Sequence, residues 1–172
     1  MSLIYSHLNY CNLIWGGAEN SNLVPLFKLQ KKAVRIIDKS HYLEHTPPIF
    51  KSLKILNIFR IYILNCSLFI FKCLKCNKFP YFRNKIMQNL NLHDHNTRNR
   101  TMYRAQEYTR LRICQRSFFY KSISVWNSLE TELKEIDKIA RLKLTMKDPL
   151  FLNQQQQSLY QWVWSSFLPS QR

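Results

Sequence analysis

A mainly helical fold is predicted for this chain, and three observations support it. Glycine is nearly absent, at two residues in 172, so tight hairpins and Gly-rich phosphate loops lack their usual material. Leu23, Leu26, Phe27, Ala33, Val34 and Ile37 recur at three- and four-residue steps, the period of a helix with one apolar face. Residues 56–76 are apolar nearly all round, as a helix central to a core would be.

Taken in order, residues 3–15, LIYSHLNYCNLIW, read as an apolar helix that Gly16-Gly17 stops,. This run opens the chain without a cap, so a start inside a domain is expected. Asn20, Ser21 and Asn22 offer caps for a second helix, and Pro25 suits its first turn,. Gln30 is the polar exception in that helix's apolar row. Its other side carries Lys28, Lys31, Lys32, Arg35 and Lys39. Thr46-Pro47-Pro48 is expected to break the chain, with a short helix over 49–53 behind it. The long helix over 56–76 follows, and Phe79-Pro80 ends that segment. From His93 to Arg116 turn residues and arginines replace any helical period. An extended arm is expected there, with a small two-stranded hairpin over about 98–116. Residues 117–128, SFFYKSISVWNS, read as a helix, with a strand as the alternative. Residues 129–146 read as one charged amphipathic helix. The helical region thus spans 1–150. Residues 151–172, with Gln154–Gln157 and then Trp162, Trp164 and Phe167, read as a flexible tail,.

The net charge of +16 is uneven. Residues 1–129 hold 20 Lys and Arg against 5 Asp and Glu, while residues 130–172 hold 6 against 5. So basic a chain attracts polyanions, and nucleic acid is the commonest of them inside cells. The basic side of the 23–39 helix is either a solvated surface or a stripe laid against phosphates. No glutamate is interleaved in it, which favours the stripe, because ordinary exposed faces mix signs.

Five cysteines, Cys11, Cys66, Cys73, Cys76 and Cys114, and no signal-peptide pattern point to free thiols in a reducing compartment,. An intracellular location, nuclear or cytoplasmic, is therefore expected. The run IYILNCSLFIF, residues 61–71, is about half the length of a membrane span,. A buried helix is expected there, not membrane insertion.

Three chemistries come into question. Cys73 and Cys76 with His93 and His95 supply the ligand types for zinc. The histidines are two residues apart, however, and the cysteines lie in an apolar helical stretch where cysteine packs as a small hydrophobe. Packing is preferred, and no cofactor is expected. Two-metal nucleotidyl transfer needs clustered carboxylates. Residues 1–129 contain only Asp38 and Asp94 as aspartates, far apart, and no nucleophile motif stands out. No enzymatic activity is expected of this chain alone. Phe118, Phe119, Tyr120 and Trp126 follow the arginine arm and either stack on a single strand or, with more weight, form the core beneath it.

Five phrases occur in order: SLIYSHLNYCNLIWGG (2–17), LFKLQKKAVRII (26–37), HYLEHTP (41–47), HDHNTR (93–98) and VWNSL (125–129). Together they resemble the region that follows the palm in reverse transcriptases of non-LTR retrotransposons of the jockey and CR1-like kind, over about residues 2–150. The resemblance implies a thumb-like helical domain from an RNA-directed DNA polymerase, whose palm and fingers would be its missing partners. The family's Tyr/Phe-x-Asp-Asp carboxylates have no counterpart here, and Glu130 stands where the family has proline after WNSL. The implied role is sequence-independent contact with the backbone of RNA or an RNA–DNA hybrid. Lys28, Lys31, Lys32, Arg35, Arg98, Arg100 and Arg104 are the candidate contact residues. The competing expectations are a helical interaction domain without nucleic-acid affinity and a non-functional remnant.

Overall fold

The computed structural model describes residues 2–89, 101–105 and 110–148. Helices dominate the described residues, joined by one antiparallel strand pair. The chain divides into two compact units, Met1–Tyr62 with the segment from Leu144, and Ile63–Lys143.

In the first unit the expected helix over 3–15 is two helices, α1 (Ser2–Asn9) and α2 (Asn12–Trp15). They part at Cys11, which takes a left-handed φ of 48°. Gly16 is not a left-handed cap, since its φ is −66°. It is small for want of space. A Cβ there would lie 2.7 Å from a ring carbon of Tyr62 and 2.5 Å from the Asn12 carbonyl oxygen.

α3 (Asn20–Asp38) starts five residues ahead of Pro25, which lies inside the helix and not in its first turn. Proline lacks an N–H, so one rung of the ladder is missing there. The expected apolar face is the buried one: Leu23 and Val34 are buried, and Leu26 and Phe27 pack with Trp15 and Ala18 around Leu23, Ile58 and Phe59. Lys39 closes α3 in the left-handed region at φ 58°. The Ser40 N–H reaches the Arg35 carbonyl at 3.1 Å, the six-residue closure of a Schellman turn,.

α4 (Thr46–Ser52) begins at the Thr-Pro-Pro stretch expected to break the chain. Both prolines fall in the first turn, where no N–H is needed. Lys54, φ 52°, ends this helix as Lys39 ends α3, with the Ile55 N–H on the Phe50 carbonyl at 2.9 Å. Gln30 then joins α3 to the chain entering α5 (Ile58–Leu74). Its Nε2 donates to the Leu56 carbonyl at 3.0 Å, and its Oε1 accepts from the Ile58 N–H at 2.9 Å.

α5 is buried on nearly every side, as its composition required. Ile58, Ile61, Cys66, Ile70, Phe71 and Cys73 are at most 1% exposed. In the second unit, Phe79 turns the chain at φ 62° into α6 (Pro80–Asn84). Phe82 of α6 meets Phe69 at 5.3 Å and Phe118 at 5.7 Å between ring centroids, both edge-on. Edge-on pairs add about 0.5–1.5 kcal/mol each beyond their burial. β1 (Ile86–Gln88) pairs antiparallel with β2 (Tyr103–Ala105), Met87 opposite Arg104. The hairpin therefore has one strand inside the expected 98–116 arm, and the other ahead of it. α7 (Arg112–Gln115) adds a helical turn to a stretch with no helical period.

α8 (Phe118–Ser128) is the expected helix, ruling out the strand alternative. The charged segment behind it is two helices, α9 (Thr131–Glu135) and α10 (Ile139–Lys147), not one. A tertiary contact spans the break. Lys75 Nζ lies 2.8 Å from Asp137 Oδ1 and also donates to the Glu135 carbonyl at 3.4 Å. The tail expected over 151–172 lies outside the described residues.

Candidate nucleic-acid interface

α3 brings four of the seven candidate residues together. At 100° per residue, positions 28, 31, 32 and 35 fall within about 100° of arc, and Lys39 extends the row. Lys28, Lys32 and Lys39 are exposed, Lys31 and Arg35 half-buried. None of Lys28, Lys32 and Lys39 has an ion-pair partner among the described residues. The single carboxylate of α3 is Asp38, its last residue, and Asp38 Oδ2 accepts the Ser40 hydroxyl at 2.8 Å. The row is thus a cationic band about 16 Å long, at 1.5 Å of rise per residue, with Asp38 at its edge,.

Two of the cations are steered by aromatic rings. Lys31 Nζ stands 4.5 Å from the centroid of Phe27, and the Arg35 guanidinium carbon 5.9 Å from that of Tyr42. Cations are attracted to ring faces within about 6 Å. Arg35 is pinned a second time, Nε donating to the Glu44 carbonyl at 3.0 Å.

Arg104 belongs to the other unit, exposed on β2. Its strand is held by Asn127, in the VWNSL phrase. Asn127 Nδ2 donates to the Tyr103 carbonyl at 2.7 Å, and Asn127 Oδ1 accepts the Tyr103 N–H at 3.0 Å. The side chain of Asn127 thus pairs with one residue of β2 as a neighbouring strand would. Lys134 Nζ in turn donates to the Asn127 carbonyl at 2.8 Å, capping the last turn of α8,. Burial holds the Lys134 ammonium below its usual pKa range. Val125, Trp126 and Leu129 are buried around this clamp. Each residue of VWNSL therefore has a packing or hydrogen-bonding task, with the Ser128 hydroxyl on the Val125 carbonyl at 2.7 Å.

Arg98 and Arg100, with His93, Asp94 and His95, lie outside the described residues. Cys73 is fully buried and Cys76 exposed. Burial pushes the Cys73 thiol up to about 11, against the opposing charge of Arg83, which makes it a poor thiolate donor. Phe119 and Trp126 are buried, and Phe118 packs on Phe69 and Phe82. Phe119 and Trp126 are thus core, Phe118 packs on it, and Tyr120 is half-buried with its ring 6.0 Å from that of Phe119. Gln30, Tyr42 and Asn127 went unselected in the sequence. Gln30 alone left a signal there, as the polar break in an apolar row.

No family model, curated protein or solved structure matches this chain. No described helix is long and apolar enough to cross a membrane.

Proposed function

We propose that this chain grips nucleic acid by its phosphate backbone, without reading sequence, through the cationic row of α3. One observation carries the reading: five cations, Lys28, Lys31, Lys32, Arg35 and Lys39, on one helix face whose one carboxylate is the terminal Asp38 at its edge. The resemblance of LFKLQKKAVRII and its companion phrases to the post-palm region of non-LTR reverse transcriptases supports it. In that setting the row would help hold RNA or an RNA–DNA hybrid for a palm domain that supplies the chemistry.

The mechanism is charge neutralisation with release of condensed counterions. Five phosphate contacts give a log–log salt slope near −4.5, about 0.9 per contact, and so roughly a 10²–10³-fold loss of affinity between 50 and 200 mM salt. Fluorescence anisotropy with a labelled RNA–DNA hybrid reads this directly. Lys28→Glu with Lys32→Glu is expected to reduce the slope by about 2. A slope near zero in the folded wild-type chain, checked by circular dichroism, would falsify the reading.

A second reading has its own observation. Leu29 and Ile36 are 60% and 77% exposed along one edge of the row. Exposed apolar side chains beside unpaired lysines also fit an acidic amphipathic helix of a protein partner. For that partner Leu29→Ser with Ile36→Ser abolishes binding; for nucleic acid the same pair of changes leaves the salt slope intact.

A further inference from the structure

We infer that the α3 row takes single-stranded nucleic acid, with Tyr42 as the platform on which an unpaired base stacks. This rests on the function proposed above and narrows it.

Tyr42 is an aromatic residue the fold does not bury. It is 68% exposed, and its one ring contact among the described residues is Arg35, a member of the row. Phe27 makes the contrast. It also lies beneath a cation of the row, but it packs against Phe59 at 5.4 Å and Phe50 at 6.3 Å and is part of the core.

The ring is also held in place. The left-handed Lys39 reverses the chain, and the turn that follows is fixed by the Glu44 N–H on the His41 carbonyl at 3.0 Å. The Leu43 N–H reaches His41 Nδ1 at 3.3 Å. The Arg35 bond to Glu44 ties this turn back to α3. Tyr42 therefore stands beside the end of the row. From Lys28 to Arg35 the row rises about 10 Å.

Basic side chains tracking a backbone beside an exposed ring are what sequence-tolerant single-strand binding uses, because every base has a face to stack. A duplex offers α3 the same phosphates but keeps its base faces stacked inside. Tyr42 thus separates the two ligands, while the lysines do not.

The test is anisotropy of the full chain with labelled oligo(U), oligo(dT) and an RNA–DNA hybrid of equal length. Tyr42→Ala is expected to weaken both single strands by about 5- to 150-fold, the equivalent of about 1–3 kcal/mol for one stacked base, and to weaken the hybrid clearly less, since there only the ring partner of Arg35 is lost. Tyr42→Phe keeps the ring and is expected to bind like wild type. Its agreement with wild type shows that the ring, not the hydroxyl, acts. Equal affinity of Tyr42→Ala and wild type for single strands, with Lys28→Glu/Lys32→Glu still weakening them, overturns the stacking role and leaves the backbone grip standing. An equal loss on the hybrid also overturns it. Absence of binding by the folded wild-type chain to all three ligands removes both.

Discussion

Gln30 shows how much one side chain can hold. Its amide satisfies a carbonyl and an N–H at residues 56 and 58, in a position 4% exposed. Gln30→Ala would leave both backbone groups buried without partners. The expected loss is about 2–4 kcal/mol, since each unmade buried bond costs about 1–3. Gln30→Met, close in volume, should lose nearly as much; a return to wild-type stability in urea unfolding would mean that packing, not hydrogen bonding, matters there. Asp137 behaves differently, being a surface group. Its hydrogen bond to Lys75, and then that ammonium's charge, hold its carboxyl below the usual value of 3.8. A carboxyl with a depressed folded pKa contributes stability that is full above its unfolded pKa and is lost as pH falls through the folded one. Asp137→Asn is therefore expected to lower stability slightly at neutral pH and to make the acid-side decline below about pH 5 shallower, the two proteins converging once Asp137 is protonated. An unchanged acid limb in pH-dependent unfolding would show the ion pair to be idle.

At the scale of elements, the chain closes its turns largely without glycine. Cys11, Lys39, Lys54, Asn77 and Phe79 all take positive φ, where an L side chain costs about 1–2 kcal/mol. Lys39→Gly, at the left-handed position of a Schellman turn, is expected to stabilise the fold by about 0.5–1 kcal/mol after the extra entropy of the unfolded glycine is counted. Thermal unfolding checks the sign. The same change removes one cation from the row, so it should stabilise the fold and weaken the grip together. Beyond its pairing with β1, the strand carrying Arg104 is held by one side chain, that of Asn127. Asn127→Ala deletes both bonds to Tyr103, with an expected cost of about 1–2 kcal/mol and faster amide exchange at Tyr103. Asn127→Asp keeps the acceptor but sets a carboxylate oxygen against the Tyr103 carbonyl, so it should do no better than alanine. Tyr103 protection equal to wild type in Asn127→Ala would show that β1 alone holds the strand.

For the molecule as a whole, salt should act with opposite signs on folding and on binding. A net charge of +16 repels itself,, so screening from about 20 to 200 mM salt is expected to raise the urea midpoint while it weakens nucleic-acid affinity. Both falling together would mean that particular ion pairs, not the net field, dominate stability. What was legible in the sequence follows from separation along the chain. The α3 face, the all-round apolar α5 and the helix over 118–128 were written in local periodicity, and they stand. The α9–α10 break was not legible in the local pattern, and the lysine that bridges it, Lys75, lies 62 residues away from Asp137. The role of Gly16 depends on the ring of Tyr62, and that of Asn127 on a strand 24 residues back. The cationic row could be read in outline. Tyr42 could not, because nothing in HYLEHTP says that its ring will lie by Arg35 and outside the core.

Lys31 gives the proposed grip a built-in reporter. Its ammonium stands over Phe27, whose other neighbours are Phe50 and Phe59. Protons above an aromatic face are shielded by the ring current, so the Lys31 Hε resonances should lie upfield of those of Lys28 and Lys32. A phosphate that draws Lys31 off the ring would move them back towards ordinary lysine positions. The Phe27 ring signals would shift in step, carrying the event to nuclei that no ligand touches. Occupancy of a sequence-blind surface could then be followed at equilibrium by magnetic resonance, without a label on either molecule.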